Sequence, residues 1–223
     1  MINIKPTDHM IQTLKLIQGA RHTSAIIAGG AIRDNYHDVM ISDVDVFIQH
    51  PSFVQTGEAR ADCMPQRPFQ HAEWNDYWAE VLQLRSDNER LIVSDRVTWH
   101  YSTYEEPPTK RNPYVEDDDF SKTPDVLAVW NIMRGFNPYQ IIFTTMDPVQ
   151  YVNDKFDFGL CKAYCDGYKV HLSQDFMTDT RNKTITFVGN GLTNQQTQYA
   201  LSHHLPRIQE KYPGYQLIVP LKQ

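Results

Sequence analysis

The sequence predicts a mixed α/β fold, a small mixed sheet with flanking helices, in a single domain spanning residues 1–223. Three observations lead to this prediction. Residues 7–19 carry apolar side chains at helical spacing, "SAIIAGG" is a short apolar run that ends in glycines, and "SDVDVFIQ" alternates polar and apolar residues. Helices and strands that follow one another in this way pack as helices against a sheet.

The composition favours a globular protein with a sizeable core. Of the 223 residues 41% are hydrophobic, and the formal net charge is -6. A chain with this charge and no long run of Lys or Arg has no broad electrostatic attraction for nucleic acid, so such a partner must be held locally. No apolar run is long enough for a signal peptide or a membrane span, which predicts no membrane partner and a cytoplasmic location.

The first fifty residues predict a helix, a strand, a second helix and a second strand. Thr7 or Asp8 can cap a helix over residues 7–19, and Gly19 can end it. The buried strand "SAIIAGG" is followed by "AIRDNYHDVM", a short helix, and by "SDVDVFIQ", a half-buried strand. Two adjacent glycines therefore lie where a strand turns into a helix.

Residues 51–123 differ in character from the rest and predict an insertion or lid. Prolines are scattered, an acidic run "EDDD" is present, and one helix is indicated near "AEWNDYWAEVLQLRS". "RLIVSDRVTWHY" predicts a strand pair or a bent strand. The aromatic side chains of this segment suit base stacking or, with more weight, packing against the core. These aromatic residues are Trp74, Tyr77, Trp78, Trp99 and Tyr101.

The C-terminal half predicts further helices and strands. Thr123-Pro124-Asp125 is typical of a helix start, so "VLAVWNIMRG" is predicted as a helix that Gly135 ends. "FDFGLCKAY" is predicted as a strand, and "YKVHLS" with "KTITFVG" as a hairpin. The other predictions are a strand "YQIIFTT", a helix "DPVQYVNDKF", a helix near "NQQTQYALSHHL" that ends before Pro206, and an edge strand "YQLIVPL".

The cysteines and histidines show no metal-binding spacing. Cys161 and Cys165 lie four apart in a predicted strand, but the second pair that a zinc site needs is missing, so reduced structural thiols are expected. His203 and His204, with the basic residues that follow them, suit a solvated helix end better than an anion-contacting edge.

Asp43 and Asp45 project to the same face of their predicted strand, while the intervening valine projects to the core. Two adjacent carboxylates repel each other, and a divalent cation between them removes that repulsion. Hard oxygen ligands of this kind suit Mg²⁺. Without further signals, two surface acids at a solvated strand end would be the favoured explanation of the pair.

The preceding residues supply such a signal. Gly29 and Gly30 follow a buried strand and open a helix, where backbone N–H groups can approach a phosphate without an intervening side chain. Arg33 can add a charge-assisted contact to phosphate, or it can form a structural ion pair with Asp34 or Asp43. Both roles of Arg33 remain open at this point.

The spacing of these residues resembles a known signature. It reads Gly29-Gly30-x-x-Arg33-Asp34, eight further residues, and Asp43-x-Asp45. This pattern resembles the head domain of CCA-adding enzymes and bacterial poly(A) polymerases, which belong to the polymerase-β-type nucleotidyltransferase superfamily. The block "KFDFGLCKAY" is also similar to one in nucleotidyltransferase-like proteins of bacteriophages, for which the location would be the host cytoplasm. In the family a Gly usually stands where this chain has Asp38.

The resemblance implies an enzyme with a nucleotidyltransferase fold and a long insertion at 51–123. Asp43 and Asp45 would bind two Mg²⁺ ions. Gly29 and Gly30, together with Arg33, would bind the NTP. An acceptor hydroxyl would then attack the α-phosphate and pyrophosphate would leave, with charge on both oxygens stabilised by the metal ions.

A third carboxylate is common in the superfamily, and Asp157 is the candidate here. It begins a predicted strand, flanked by Phe156 and Phe158, and is expected to bind metal or to activate the acceptor. The alternative is a strand-end capping residue. Asp154 is a weaker rival, more typical of a helix surface.

The acceptor most consistent with the resemblance is an RNA 3′ end such as that of tRNA. The Glu-Asp-x-x-Arg motif that selects the base in CCA-adding enzymes has no counterpart in this sequence, and the chain is too short for their tRNA-holding domains. Transfer to a protein or small molecule is therefore an alternative, as is a non-catalytic module that binds nucleotide, RNA or a protein. The base, the acceptor and the oligomeric state are left open.

Overall fold

The computed structural model describes residues 6–20, 22–49, 77, 80–82, 125–134, 137–189 and 194–220. The predicted insertion at 51–123 lies outside these residues except for four positions, so its role as a lid, together with the strands predicted within it, stays a prediction. Tyr77, Glu80 and Val81 are helical, as predicted for that part of the segment.

A six-stranded mixed sheet forms the centre of the fold, which confirms the predicted α/β class. Its strands are β1 (Ile26–Ala28), β2 (Val44–Gln49), β3 (Val126–Arg134), β4 (Asn137–Thr144), β5 (Ala163–Cys165) and β6 (Val170–Leu172), in the spatial order β3-β4-β2-β1-β5-β6. The β2–β4 pair is parallel, and the other neighbours are antiparallel.

Six α-helices accompany the sheet in the described part of the chain: α1 (Asp8–Gly19), α2 (Gly30–Tyr36), α3 (Pro148–Lys155), α4 (Gln174–Asn182), α5 (Asn194–Tyr199) and α6 (Leu205–Lys211). A 3₁₀ turn covers Gly159–Cys161, and a π-helical segment, Ala200–His204, joins α5 to α6. A two-stranded parallel sheet pairs β7 (Thr184–Thr186) with β8 (Gln216–Ile218). None of the helices described here has the length and apolar character needed to cross a bilayer.

Local capping signals in the sequence predicted two of these helices correctly. Thr7 accepts a hydrogen bond from the backbone N–H of Met10 at 3.4 Å and so caps α1. The Asp147 carboxylate accepts from the N–H groups of Val149 and Gln150 at the start of α3, at 2.9 and 3.1 Å. Strands β1, β2 and β8 also lie within their predicted segments, and β4 begins two residues before its predicted start.

The large sheet is covered on both faces, and β2 divides its side chains between them. Val44 and Val46 belong to the cluster that contains α1 and α2, whereas Phe47 packs with Tyr151 of α3 on the opposite face. Because side chains alternate along a strand, Asp45 projects to the face of Phe47. The signature carboxylate therefore lies on the α3 side of the sheet.

The turn that leads from α2 into β2 keeps a glycine-like conformation without a glycine. Asp38 has φ of 55°, in the left-handed region that Asp tolerates better than most residues. The N–H of Val39 donates to the carbonyl of Asp34 at 2.8 Å and closes the turn. The departure from the family pattern at this position thus leaves the approach to β2 intact.

The helix predicted over residues 126–135 was wrong, since this segment forms strand β3. Val129 is buried on the α3 face, while Trp130 and Ile132 are buried on the other. A strand buried on both faces reads as a continuous apolar run, which periodicity alone does not distinguish from a buried helix. Pairing of β3 with β4 decided the outcome.

The predicted hairpin of "YKVHLS" with "KTITFVG" was also wrong. β6 pairs with β5, β7 pairs with β8, and helix α4 lies between β6 and β7. Ser173 caps α4 by accepting from the N–H of Phe176 at 3.0 Å. Asp179 of α4 accepts from both side-chain hydroxyls of Thr184 and Thr186, at 2.7 and 2.6 Å, and so ties α4 to β7.

The segment "FDFGLCKAY" is not one strand. Phe158 makes an isolated bridge with Phe187, the 3₁₀ turn follows, and only Ala163–Cys165 joins the sheet. Cys161 and Cys165 consequently do not share a strand face, and both are free thiols. The predicted helix end before Pro206 was wrong as well. Pro206 lies in the first turn of α6, which follows the π-helical segment directly.

The two adjacent glycines differ in a way that stability measurements can test. Gly29 has φ of 74° and ψ of -129°, and a Cβ there would lie 3.2 Å from the ring of Phe156. We expect Gly29→Ala to lower the free energy of unfolding by about 1–3 kcal/mol, because L residues are strained in this conformation. Gly30→Ala is the matched control. Its φ is ordinary and the nearest atom, Nη2 of Arg33, is 3.6 Å away, so a change within about 0.5 kcal/mol is expected. Urea unfolding measures both variants, and an equal loss of unfolding free energy in Gly29→Ala and Gly30→Ala would contradict this assignment.

Candidate active site

Strand register brings the glycines to the carboxylates. Ala28 at the end of β1 pairs with Asp45 of β2, so Gly29 and Gly30 leave the sheet beside the Asp43-x-Asp45 segment. The N–H of Gly29 donates to the carbonyl of Ala163 at 3.0 Å, which fixes the turn against β5. The glycines and the paired acids, separated in the sequence, therefore lie together at one end of the central strands β1 and β2.

Asp45 is the least satisfied polar group of this region. Its Oδ1 is buried and has no hydrogen-bond partner among the described residues. Burial, followed by the negative charge of Asp43, raises the pKa of Asp45 from its ordinary value of 3.8 to about 8, although the guanidinium of Arg33 acts in the opposite direction. A buried carboxylate with a carboxylate neighbour and an orphaned oxygen has the properties of a ligand that lacks its cation.

The amide side chain of Gln140 was not singled out in the sequence. Gln140 pairs with Asp45 across the parallel β2–β4 ladder, and paired residues project to the same face. No carboxylate therefore occupies the position next to Asp45 on β4. The predicted strand at 139–145 was correct, but only the register, which the sequence did not predict, places this amide at the site.

Arg33 and Asp34 form a buried ion pair. Their side chains are 7% and 1% exposed, and both Nε and Nη2 of Arg33 lie 2.7 Å from Oδ1 of Asp34. The Nη1 group of Arg33 donates to Sγ of Cys161 at 3.1 Å. Of the two structural partners considered for Arg33, Asp34 is the one it contacts. A phosphate contact by Arg33 stays a prediction.

The C-terminal helix completes this ion pair. Nζ of Lys211 lies 2.5 Å from Oδ2 of Asp34, and the hydroxyl of Tyr212 donates to Oδ1 at 2.9 Å. The guanidinium of Arg33 also lies over the ring of Tyr212, 5.2 Å from its centroid. The Arg-Asp dipeptide of the signature thus anchors the end of α6 to α2.

Asp157 lies next to this region and contacts a histidine, while its predicted role in metal binding or acceptor activation stays a prediction. Its Oδ2 is 2.6 Å from Nδ1 of His204, with side chains 17% and 43% exposed respectively. In the described ranges no group of three metal-ligating side chains is assembled, so Asp157 is not gathered with Asp43 and Asp45 into one cluster. Asp154, the weaker rival, is exposed on α3 as expected.

The position of Asp157 relative to Asp45 follows from their shared neighbours. The ring of Phe156, one residue earlier, covers Gly29. The charges of Asp157 and Asp45 both affect buried Tyr151. The pKa of Tyr151 is raised mainly by burial, and then by the charges of Asp125, Asp157 and Asp45. His204 also belongs to this region. The sequence predicted a solvated helix end for it in preference to an anion-contacting edge, since no local pattern links it to Asp157.

Comparisons with known proteins agree with this geometry at the level of the fold. No curated protein sequence matches the chain significantly. A solved structure of a "tRNA-processing enzyme" superposes with a TM-score of 0.51 at 13% identity, over 96% of this chain and 45% of the other. The Bacillus stearothermophilus CCA-adding enzyme in complex with CTP gives 0.50 at 14% identity, over 93% and 40%. The chain spans less than half the length of either protein. The predicted resemblance to CCA-adding enzymes is confirmed at the level of the fold.

A sequence-family model gives the assignment. The model of the Gabija anti-defense 2 family, a phage anti-defence family, matches residues 5–183. This range contains the glycines, the Arg-Asp pair, the paired carboxylates and Asp157, and it ends before α5 and α6 begin. Because the match covers most of the chain, the protein belongs to the Gabija anti-defense 2 (Gad2) family.

Proposed function

We propose that this protein is a Mg²⁺-dependent nucleotidyltransferase, which moves a nucleoside monophosphate from an NTP to an acceptor and releases pyrophosphate. The observation that carries the proposal is the buried, unbonded Oδ1 of Asp45, two residues from Asp43 and beside the Gly29-Gly30 turn. A stable fold gains nothing from such a pair unless something binds it. The fold of CCA-adding enzymes is consistent with this chemistry.

The residues present fit two Mg²⁺ ions, which Asp43 and Asp45 would hold. When bound, the ions would stabilise charge on the attacking and leaving oxygens of the displacement. Gly29 and Gly30 would let the triphosphate approach the backbone closely. Arg33, whose Nη2 lies 3.6 Å from where a Cβ of Gly30 would be, would add positive charge behind that turn without leaving its pair with Asp34.

The acceptor we place first is an RNA 3′ end such as that of tRNA, because the similar structures include a tRNA-processing enzyme. A protein or small-molecule acceptor is the second candidate. The family description favours a target within the Gabija defence, and a net charge of -6 provides no broad attraction for RNA. With either acceptor, the protein would be phage-encoded and the reaction would take place in the cytoplasm of the host cell.

Nucleotide transfer is tested directly with α-labelled NTPs. The full-length protein is incubated with each NTP, Mg²⁺ and either total RNA or a protein extract from a Gabija-carrying strain. We expect Asp43→Asn and Asp45→Asn each to lower transfer by at least about 10²-fold, since each removes a carboxylate that would hold Mg²⁺ at the reacting phosphate. Asp154→Asn, an exposed change of the same kind on α3, should leave transfer unchanged.

The labelled product then distinguishes the acceptors. Label on RNA supports the first acceptor, and label only on protein supports the second. Absence of transfer from every NTP to both pools would favour a non-catalytic module that binds nucleotide, RNA or protein.

Metal binding gives a second test that needs no acceptor. With EDTA present, folded Asp45 keeps its proton up to about pH 8, whereas the unfolded chain releases it near its ordinary value. The folded state therefore binds more protons in this window, and Asp45 makes the free energy of unfolding fall as pH rises, by at most about 1.4 kcal/mol per pH unit. Asp45→Asn should flatten this slope.

Mg²⁺ should have the opposite effect, because it binds the carboxylate form. We expect the increase in Tm on adding Mg²⁺ to grow from pH 6 to pH 8 in the wild type and to be small at all pH values in Asp45→Asn. Thermal unfolding of both proteins, with Asp154→Asn as the control, measures this. A wild-type response to Mg²⁺ that Asp45→Asn retains in full would place the metal elsewhere.

A further inference from the structure

We infer that Asp157 and His204 form the acceptor-activating pair of the site, with His204 as the base and Asp157 as the residue that positions it. The inference rests on the proposed nucleotidyl transfer and assigns a role to a histidine from outside the family-matched range of 5–183. The first supporting observation is the 2.6 Å contact between Oδ2 of Asp157 and Nδ1 of His204.

This contact fixes which imidazole nitrogen is available. A carboxylate bound at Nδ1 holds the proton there, so Nε2 is left as the proton acceptor. The His204 side chain is 43% exposed while that of Asp157 is 17% exposed, so the imidazole is open on one side and held on the other. The same arrangement of carboxylate, imidazole and free Nε2 is what a general base needs.

The backbone around the pair is held on both sides. The carbonyl of Asp157 accepts from the N–H of Val188 at 2.7 Å, and Phe158 bridges to Phe187. His204 is the last residue of the π-helical segment Ala200–His204, a local widening that often marks a functional site in a helix. The ring of Tyr199 meets His204 edge-on, with centroids 5.1 Å apart, and restricts its rotation.

The pair also lies on the correct side of the sheet. Phe156 covers Gly29 on the α3 face, and Asp157 follows it directly. The ring of Phe156 also lies 5.6 Å from that of Phe47, which shares the face of Asp45 on β2. Burial raises the pKa of Tyr151, and the charges of Asp125, Asp157 and Asp45 raise it further. The pairing with His204 accounts for Asp157 better than a direct role as a third metal ligand, because no three-ligand cluster forms among the described residues.

The acceptor hydroxyl oxygen forms a bond to the α-phosphorus of the NTP as the bond from that phosphorus to the bridging oxygen of the β-phosphate breaks. Pyrophosphate leaves with the bonding electron pair. The hydroxyl proton passes to Nε2 of His204, and the carboxylate of Asp157 stabilises the resulting imidazolium through Nδ1.

The test uses the full-length protein with the NTP and acceptor pool that support wild-type transfer. His204→Gln keeps an amide that can still bond Asp157 but has no basic nitrogen. We expect kcat to fall by about 10²–10⁴-fold with the KM for NTP unchanged. His203→Gln is the matched control, because this exposed neighbour contacts Ser202 rather than Asp157 and should stay within about twofold of wild type.

Chemical rescue separates a base from a structural contact. Added imidazole should restore transfer to His204→Ala in proportion to its unprotonated form, and should not restore Asp45→Asn. If Asp45→Asn is inactive while His204→Gln retains wild-type kcat, the proposed function stands and this inference is wrong. A change in KM alone, or no rescue by imidazole, would also overturn it. If the wild type transfers nothing, both the proposed function and this inference fail.

Discussion

A buried ion pair between Arg33 and Asp34 is the interaction on which the arrangement of the site depends. Two charged side chains are costly to bury unless their hydrogen bonds are satisfied, and the loss of one partner typically destabilises a protein by about 3–5 kcal/mol. Here the partners come from three parts of the chain. Arg33 reaches Cys161 in the 3₁₀ turn, and Asp34 takes Lys211 and Tyr212 from the C-terminal helix. The Arg-Asp dipeptide therefore holds both the α3–β5 connection and α6 against α2.

The two charged pairs of the signature are opposite in electrostatic character. Arg33 and Asp34 carry opposite charges and their hydrogen bonds are satisfied. Asp43 and Asp45 are both acidic, burial and the charge of Asp43 raise the pKa of Asp45, and its buried Oδ1 is orphaned. At functional sites, proteins keep groups that are unfavourable in the chain alone and that a bound ligand satisfies. Within residues 33–45, one pair stabilises the fold and the other leaves a buried oxygen without a partner among the described residues.

Sequence patterns were sufficient where the deciding interactions are local. The Thr7 and Asp147 caps, the alternation of β2 and the spacing of the signature all lie within short windows, and these elements formed as predicted. Sequence patterns failed where pairing between distant segments decides the secondary structure. β3 has apolar residues on both faces and became a strand because β4 was available to pair with it. Ser173 is a helix-capping residue that the sequence shows at the start of α4, but the prediction of a hairpin took precedence over it.

The residues of the candidate site likewise divide into those that local sequence patterns predicted and those that only tertiary packing brings together. Asp43, Asp45 and the two glycines are adjacent in sequence and could be recognised together, whereas His204 reaches Asp157 only through the packing of the C-terminal helices. Gln140 next to Asp45 depends on strand register, and a shift of one residue would project it to the opposite face. Side chains supplied by separate elements carry no shared pattern along the chain.

The parallel pairing of β2 with β4 has a consequence for the order in which the protein is made. Val44 pairs with Tyr139, so one edge of the aspartate strand is closed by a segment synthesised long after the signature itself. At about 5–20 residues per second this interval is roughly 5–20 s on the ribosome. During it, β2 has β1 on one side and an open backbone edge on the other, the kind of surface that recruits foreign strands. The nascent carboxylate strand is therefore exposed to mispairing before its own partner exists.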